Sequence, residues 1–64
     1  MHPFLEWVDY EGGIWEMYMH GWSDDQLDEC GLTQMQKDKL EKVSKLICMA
    51  DELWQELQTE LENQ

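Results

Sequence analysis

Apolar residues in the second half of the chain fall at Leu40, Val43, Ile47, Ala50, Trp54, Leu57 and Leu61, spaced alternately by three and four. That is the a/d seam of a heptad repeat on one α-helix. Neither Gly nor Pro interrupts 34–64, so the spacing predicts a single long helix from Gln34 to near the C-terminus. A second set, Leu46, Met49 and Leu53, lies beside the seam only in the middle. A helix with two apolar stripes needs two neighbours. The broad middle is expected to pack on the N-terminal part of the chain. The narrow seam beyond Leu53 is expected to meet a partner helix, most simply from a second copy related by two-fold symmetry. Val43, Ile47, Ala50, Trp54, Leu57 and Leu61 are therefore the predicted dimer interface, with parallel and antiparallel pairing both open. The alternative is a monomer whose last turns fray.

The N-terminal pattern has the same period in shorter segments. Phe4, Trp7 and Val8 share one side of a first short helix, with Pro3 in its first turn and Gly12-Gly13 at its end. Ile14, Met17 and Tyr18 repeat the spacing in a second, which stops at Gly21. Two strands around Glu11-Gly12-Gly13 are the alternative for this aromatic-rich region, although apolar and polar residues alternate poorly there. Ser23 and Gln26 form an S-x-x-Q capping box, with Trp22 and Leu27 placed as a hydrophobic staple. Asp24 and Asp25 fall in the first turn, where the helix dipole favours negative charge. Gly31 supplies a left-handed residue to end that helix, and Thr33 with Gln36 repeats the capping box. The expected architecture is all-α: one small bundle over 1–64 with three or four helices. It divides into short helices over 1–21, a capped helical turn over 22–33, and the long helix over 34–64.

Size narrows this further. A chain of 64 residues buries only about 60% of its unfolded surface, so its core is marginal without help. Four Trp, two Tyr, one Phe and five Met are a large apolar complement, which argues against disorder. Trp7, Trp15, Trp22, Tyr10 and Tyr18 cannot all fit inside so small a core. One or two are expected at the surface, where Trp and Tyr make good binding anchors.

Charge changes the functional picture most. The net charge is −11, from 15 carboxylates against four Lys and no Arg. Residues 1–36 carry eight acids and no Lys, 37–45 hold all four Lys with two acids, and 46–64 carry five acids. Nucleic-acid affinity depends on cations that neutralise phosphates, so direct binding to DNA, RNA or anionic lipid is disfavoured and a basic protein partner is favoured. No apolar run approaches the roughly 18 residues of a membrane span.

Chemistry-bearing residues are sparse. Cys30 and Cys48 lack metal or CxxC spacing and read as two reduced thiols, each packed as a small hydrophobe, in a cytoplasmic protein. His2 and His20 are far apart in sequence. His20 ends a helix, where an imidazolium is favourable, and with Cys30 it makes at most a weak metal pair. Carboxylates abound, but acid–base catalysis needs two in different environments within a cleft. No enzyme, cofactor or metal is expected.

The stretch Trp22–Thr33, WSDDQLDECGLT, has punctuation similar to sigma-factor-type helix-turn-helix modules and to SAM domains. The first spaces Ser and Gly one residue further apart and carries a basic recognition helix, where this chain reads Gln34-Met35-Gln36-Lys37-Asp38. The second keeps its apolar rhythm one residue out of step after Thr33. Neither family is assigned.

The acid rows carry the sharper expectation. Glu52, Glu56 and Glu60 recur every four residues, roughly 5–6 Å apart on one helix face. Asp24 with Asp28, and Asp25 with Glu29, do the same on the shorter helix. Such rows either keep a solvated face soluble or imitate the charge of a nucleic-acid backbone. The second reading makes the protein a DNA-mimic-like inhibitor or regulator of a nucleic-acid-handling protein. Phages and mobile elements carry inhibitors of this size and charge, anti-CRISPR and anti-restriction proteins among them. Its expected contacts are Asp24, Asp25, Asp28, Glu29, Glu52, Glu56 and Glu60. A helical dimerisation or adaptor module is the alternative.

Overall fold

The computed structural model describes residues 2–64. It is all-α, with α1 at Pro3–Glu11, α2 at Ile14–His20, α3 at Asp24–Glu29 and α4 at Gln34–Glu62. No strand occurs among the described residues, so the hairpin alternative for the N-terminal region falls. Its arms carry helical apolar spacing rather than alternation.

Local chemistry sets each boundary. The His2 ring accepts the Phe4 N–H at 3.0 Å, capping α1 ahead of Pro3. At the other end, Gly12 takes φ +93° and Gly13 donates its N–H to the Val8 carbonyl at 2.9 Å. Both glycines have positive φ, which residues with a Cβ rarely adopt, and α2 starts directly after them. Ser23 accepts the Gln26 N–H while the Gln26 side chain accepts the Ser23 N–H, at 3.2 and 2.8 Å. Thr33 and Gln36 reproduce that reciprocal pair at the same distances. Between the boxes, Gly31 at φ +81° lets Leu32 donate to Leu27 and Gly31 to Asp28, closing α3 as a Schellman motif.

Packing is built on α4. At ~1.5 Å per residue its 29 residues account for nearly all of the 47 Å long axis, the other axes being 22 and 17 Å. The radius of gyration of 14.3 Å exceeds the roughly 11 Å of a compact chain this long. The core is small: Met17 is fully enclosed, with Leu27, Leu40 and Ile47 buried around it. Each such side chain contributes roughly 1.5–3 kcal/mol of burial. Tyr18 and Trp22 meet edge to face, ring centres 6.4 Å apart, and Phe4 and Trp7 do so at 6.2 Å. Tyr10 and Trp15 are the exposed aromatics of the N-terminal helices.

Only one of the two apolar stripes in the middle of α4 packs. Tyr18, Trp22 and Leu27 lie along the face of Leu40, Ser44 and Ile47. Leu46, Met49 and Leu53, expected against the N-terminal helices, are 65, 61 and 64% exposed. Leu46 precedes Ile47 by one residue, about 100° around the helix, and the short helices cannot wrap that far. Ile47, placed in the predicted dimer interface, belongs instead to the chain's own core. Cys30 is half-buried and Cys48 exposed, and both thiols are free. The expectation that each packs as a small hydrophobe therefore fails for Cys48, which lies about 100° from Ile47 on the other flank of the packed face.

Candidate functional site

The two acid rows end in different surroundings. On α3, Asp24 and Asp28 share a cation from another element: Lys37 Nζ lies 2.7 Å from Asp28 and 3.6 Å from Asp24. The Lys37 side chain is only 14% exposed. It runs along the groove between α3 and α4 beside Trp22 and Leu27, burying its stem and offering its head to the carboxylates. The hydrogen bond to Asp28 first, and then the Asp24 charge, hold its ammonium pKa above the usual value. Asp24 and Asp28 are thus partly neutralised within the molecule and do not form the free ladder expected of them. Asp25 and Glu29, on the outer side, have no cation within ion-pair distance among the described residues.

The α4 row stays open. Glu52, Glu56 and Glu60 border one helix face together with Gln55 and Thr59. None of the three meets a cation among the described residues. Lys45 pairs with Glu41 at 3.6 Å, one turn earlier on the same helix, and Lys37 is held by α3, so neither reaches the row. Glu52 receives only a long contact from the Cys48 thiol, at 3.9 Å. Tyr18 from α2 lies beside Cys48. The Cys48 thiol first, then burial and the Asp51 and Glu52 charges, push the phenol pKa above its ordinary value.

The predicted dimer residues divide likewise. Ile47 is interior, Ala50 half-buried and Val43 38% exposed at the edge of the packed face. Trp54, Leu57 and Leu61 are 47, 43 and 52% exposed. Trp54 borders a groove with Trp15 and Met19 of α2, so part of the distal seam is shared with the chain's own second helix.

Sequence reasoning missed one pair. His20 Nδ1 and Glu11 Oε2 meet across the Gly12-Gly13 turn, while the other Glu11 oxygen accepts the Trp7 indole N–H at 3.2 Å. Glu11 thereby ties the ends of α1 and α2. The only available signal was a Glu just before a Gly-Gly turn and a His at the end of the next helix. No group of three or more His, Cys, Asp or Glu side chains is placed to hold a metal among the described residues. No helix there is long and apolar enough to cross a membrane. The arrangement offers an anionic helix face beside an apolar one. Comparison of the chain with protein-family models, with curated proteins and with solved structures gives no match.

Proposed function

We propose that the protein is a non-enzymatic acidic binding protein, cytoplasmic and dimeric, that occupies the basic surface of a nucleic-acid-handling protein and so inhibits or regulates it. The observation that carries this reading is the open row Glu52, Glu56 and Glu60 on a chain of net charge −11. An unneutralised line of carboxylates on a helix resembles the regular negative charge that a basic groove holds along a nucleic-acid backbone. Asp25 and Glu29 add to the field on α3, and Asp24 and Asp28 add less because Lys37 sits between them. Long-range attraction steers the encounter, and exposed Tyr10 and Trp15 supply anchors for docking. Small inhibitors carried by phages and mobile elements, of the anti-CRISPR or anti-restriction kind, are the class such a mechanism suits.

A second reading, a helical dimerisation or adaptor module, is favoured by the exposed Leu46, Met49 and Leu53. Salt separates the two, because a charge-led interface weakens with ionic strength and an apolar one barely responds. In a pull-down from source-cell lysate, the first reading expects nucleic-acid-handling proteins that elute with salt or competing duplex DNA. They should be lost from the Glu52→Gln/Glu56→Gln/Glu60→Gln bait. Retention that ignores salt, DNA and those substitutions would favour the adaptor.

A further inference from the structure

The apolar stripe centred on the exposed Leu46 and Leu53 has its own register. Val43, Leu46, Ala50, Leu53 and Leu57 are spaced by 3, 4, 3 and 4 residues, a heptad seam of about 22 Å at the usual helical rise. It lies about 100° around the helix from the Leu40/Ile47 face, and its leucines Leu46 and Leu53 are among the most exposed apolar residues of α4. In this register Lys42, Met49 and Glu56 follow one another at intervals of seven along one flank.

Charge indicates what covers the stripe. Lys37, Lys39, Lys42 and Lys45 all lie in the first half of α4, and Asp51, Glu52, Glu56, Glu60 and Glu62 all lie in the second. This polarity opposes the helix dipole, which favours acids at the N-terminus and bases at the C-terminus. The helix therefore gains nothing from its dipole, with no acid in its first turn and no base in its last. A second α4 running in the same direction would set lysines beside lysines and glutamates beside glutamates. Running in the opposite direction, it sets each basic half beside an acidic half and opposes the two dipoles. A two-fold axis level with Cys48 and Met49 then places Val43 opposite Leu53, Leu46 opposite Ala50, and Lys42 of one copy beside Glu56 of the other, twice.

We propose that the protein self-associates as an antiparallel pair through this stripe, its register set by two reciprocal Lys42–Glu56 ion pairs. The inference rests on the dimeric part of the reading above and moves the interface from Ile47 and Trp54 to Leu46 and Leu53. It does not depend on a basic partner. Glu52 points well away from the stripe and stays open in the pair, whereas Glu56 is shared, so a basic partner and the second copy compete for it.

Charge reversal tests the arrangement. Lys42→Glu alone and Glu56→Lys alone should each weaken self-association about tenfold in sedimentation equilibrium, because two-fold symmetry doubles every lost pair. An equimolar mixture of the two variants should recover it, since each mixed interface restores two opposite-charge pairs. Leu53→Asp should give a monomer of unchanged helicity by far-ultraviolet dichroism. A spin label at Glu62→Cys, with Cys30 and Cys48 replaced by Ser, should report a separation of about 40 Å across the pair. A wild-type monomer at 200 μM (roughly a weak-dimer threshold), no recovery on mixing, a dimer indifferent to Leu53→Asp, or labels closer than about 20 Å would each overturn the proposal. Binding of a foreign basic helix to the stripe, with no self-association, would do the same.

Discussion

The two halves of α4 carry the same apolar spacing and differ in everything attached to it. The first half starts from a reciprocal Thr33–Gln36 cap, buries Leu40 and Ile47, and sends Lys37 across to two carboxylates of α3. Beyond Asp51 every residue is exposed, and Glu52, Glu56 and Glu60 find no cation among the described residues. A heptad pattern thus states that a helix has an apolar side, while coverage depends on how much chain is available to fold back. Three short helices, separated by turns at Gly12-Gly13, Gly21 and Gly31, can cover one face over roughly half of a 29-residue helix. Burial is concentrated in the first half, and the second is left exposed.

Paired truncations on the two halves probe that division most strongly. Ile47→Ala should cost about 2–5 kcal/mol, enough to unfold much of a domain with roughly 3–5 kcal/mol in hand. Leu61→Ala, at 52% exposure, should cost well under about 1 kcal/mol. Urea titration followed by dichroism measures both, and equal losses would erase the distinction between the halves.

A smaller effect is expected at the helix start. Thr33→Ala removes an oxygen that accepts the Gln36 N–H and should cost about 0.5–2 kcal/mol. Asn63→Ala, at an end closed by backbone bonds alone, should cost almost nothing. Thermal melts of the two variants give the comparison directly.

The smallest effect concerns Lys37, the link between α4 and α3. Its pKa is raised in the folded state from the ordinary 10.5. The corresponding stability is complete below that value and is lost as pH rises through the higher folded value. Tyr18, raised from 10.0 chiefly by the Cys48 thiol, contributes with the same sign. Lys37→Met should therefore flatten the alkaline fall in stability without abolishing it, as read from urea midpoints between about pH 9 and 11.5. An unchanged alkaline limb would mean that Asp24 and Asp28 are as open as the α4 row.

The helix boundaries were legible in the sequence because the atoms that create them lie within a few residues of one another. Ser23 with Gln26, Thr33 with Gln36, Gly12 and Gly31 each act on backbone groups less than two turns away, so no distant contact can overrule them easily. The face of α4 that becomes buried was not legible. Leu46 and Ile47 are both apolar, adjacent in sequence and about 100° apart around the helix, and only the docking of α2 and α3 selects between them. Nor does spacing tell a free acid row from a neutralised one. Asp24/Asp28 and Glu52/Glu56/Glu60 share the same four-residue interval, and a single lysine brought close by the tertiary packing makes the first an internal clasp and leaves the second as an outward charge.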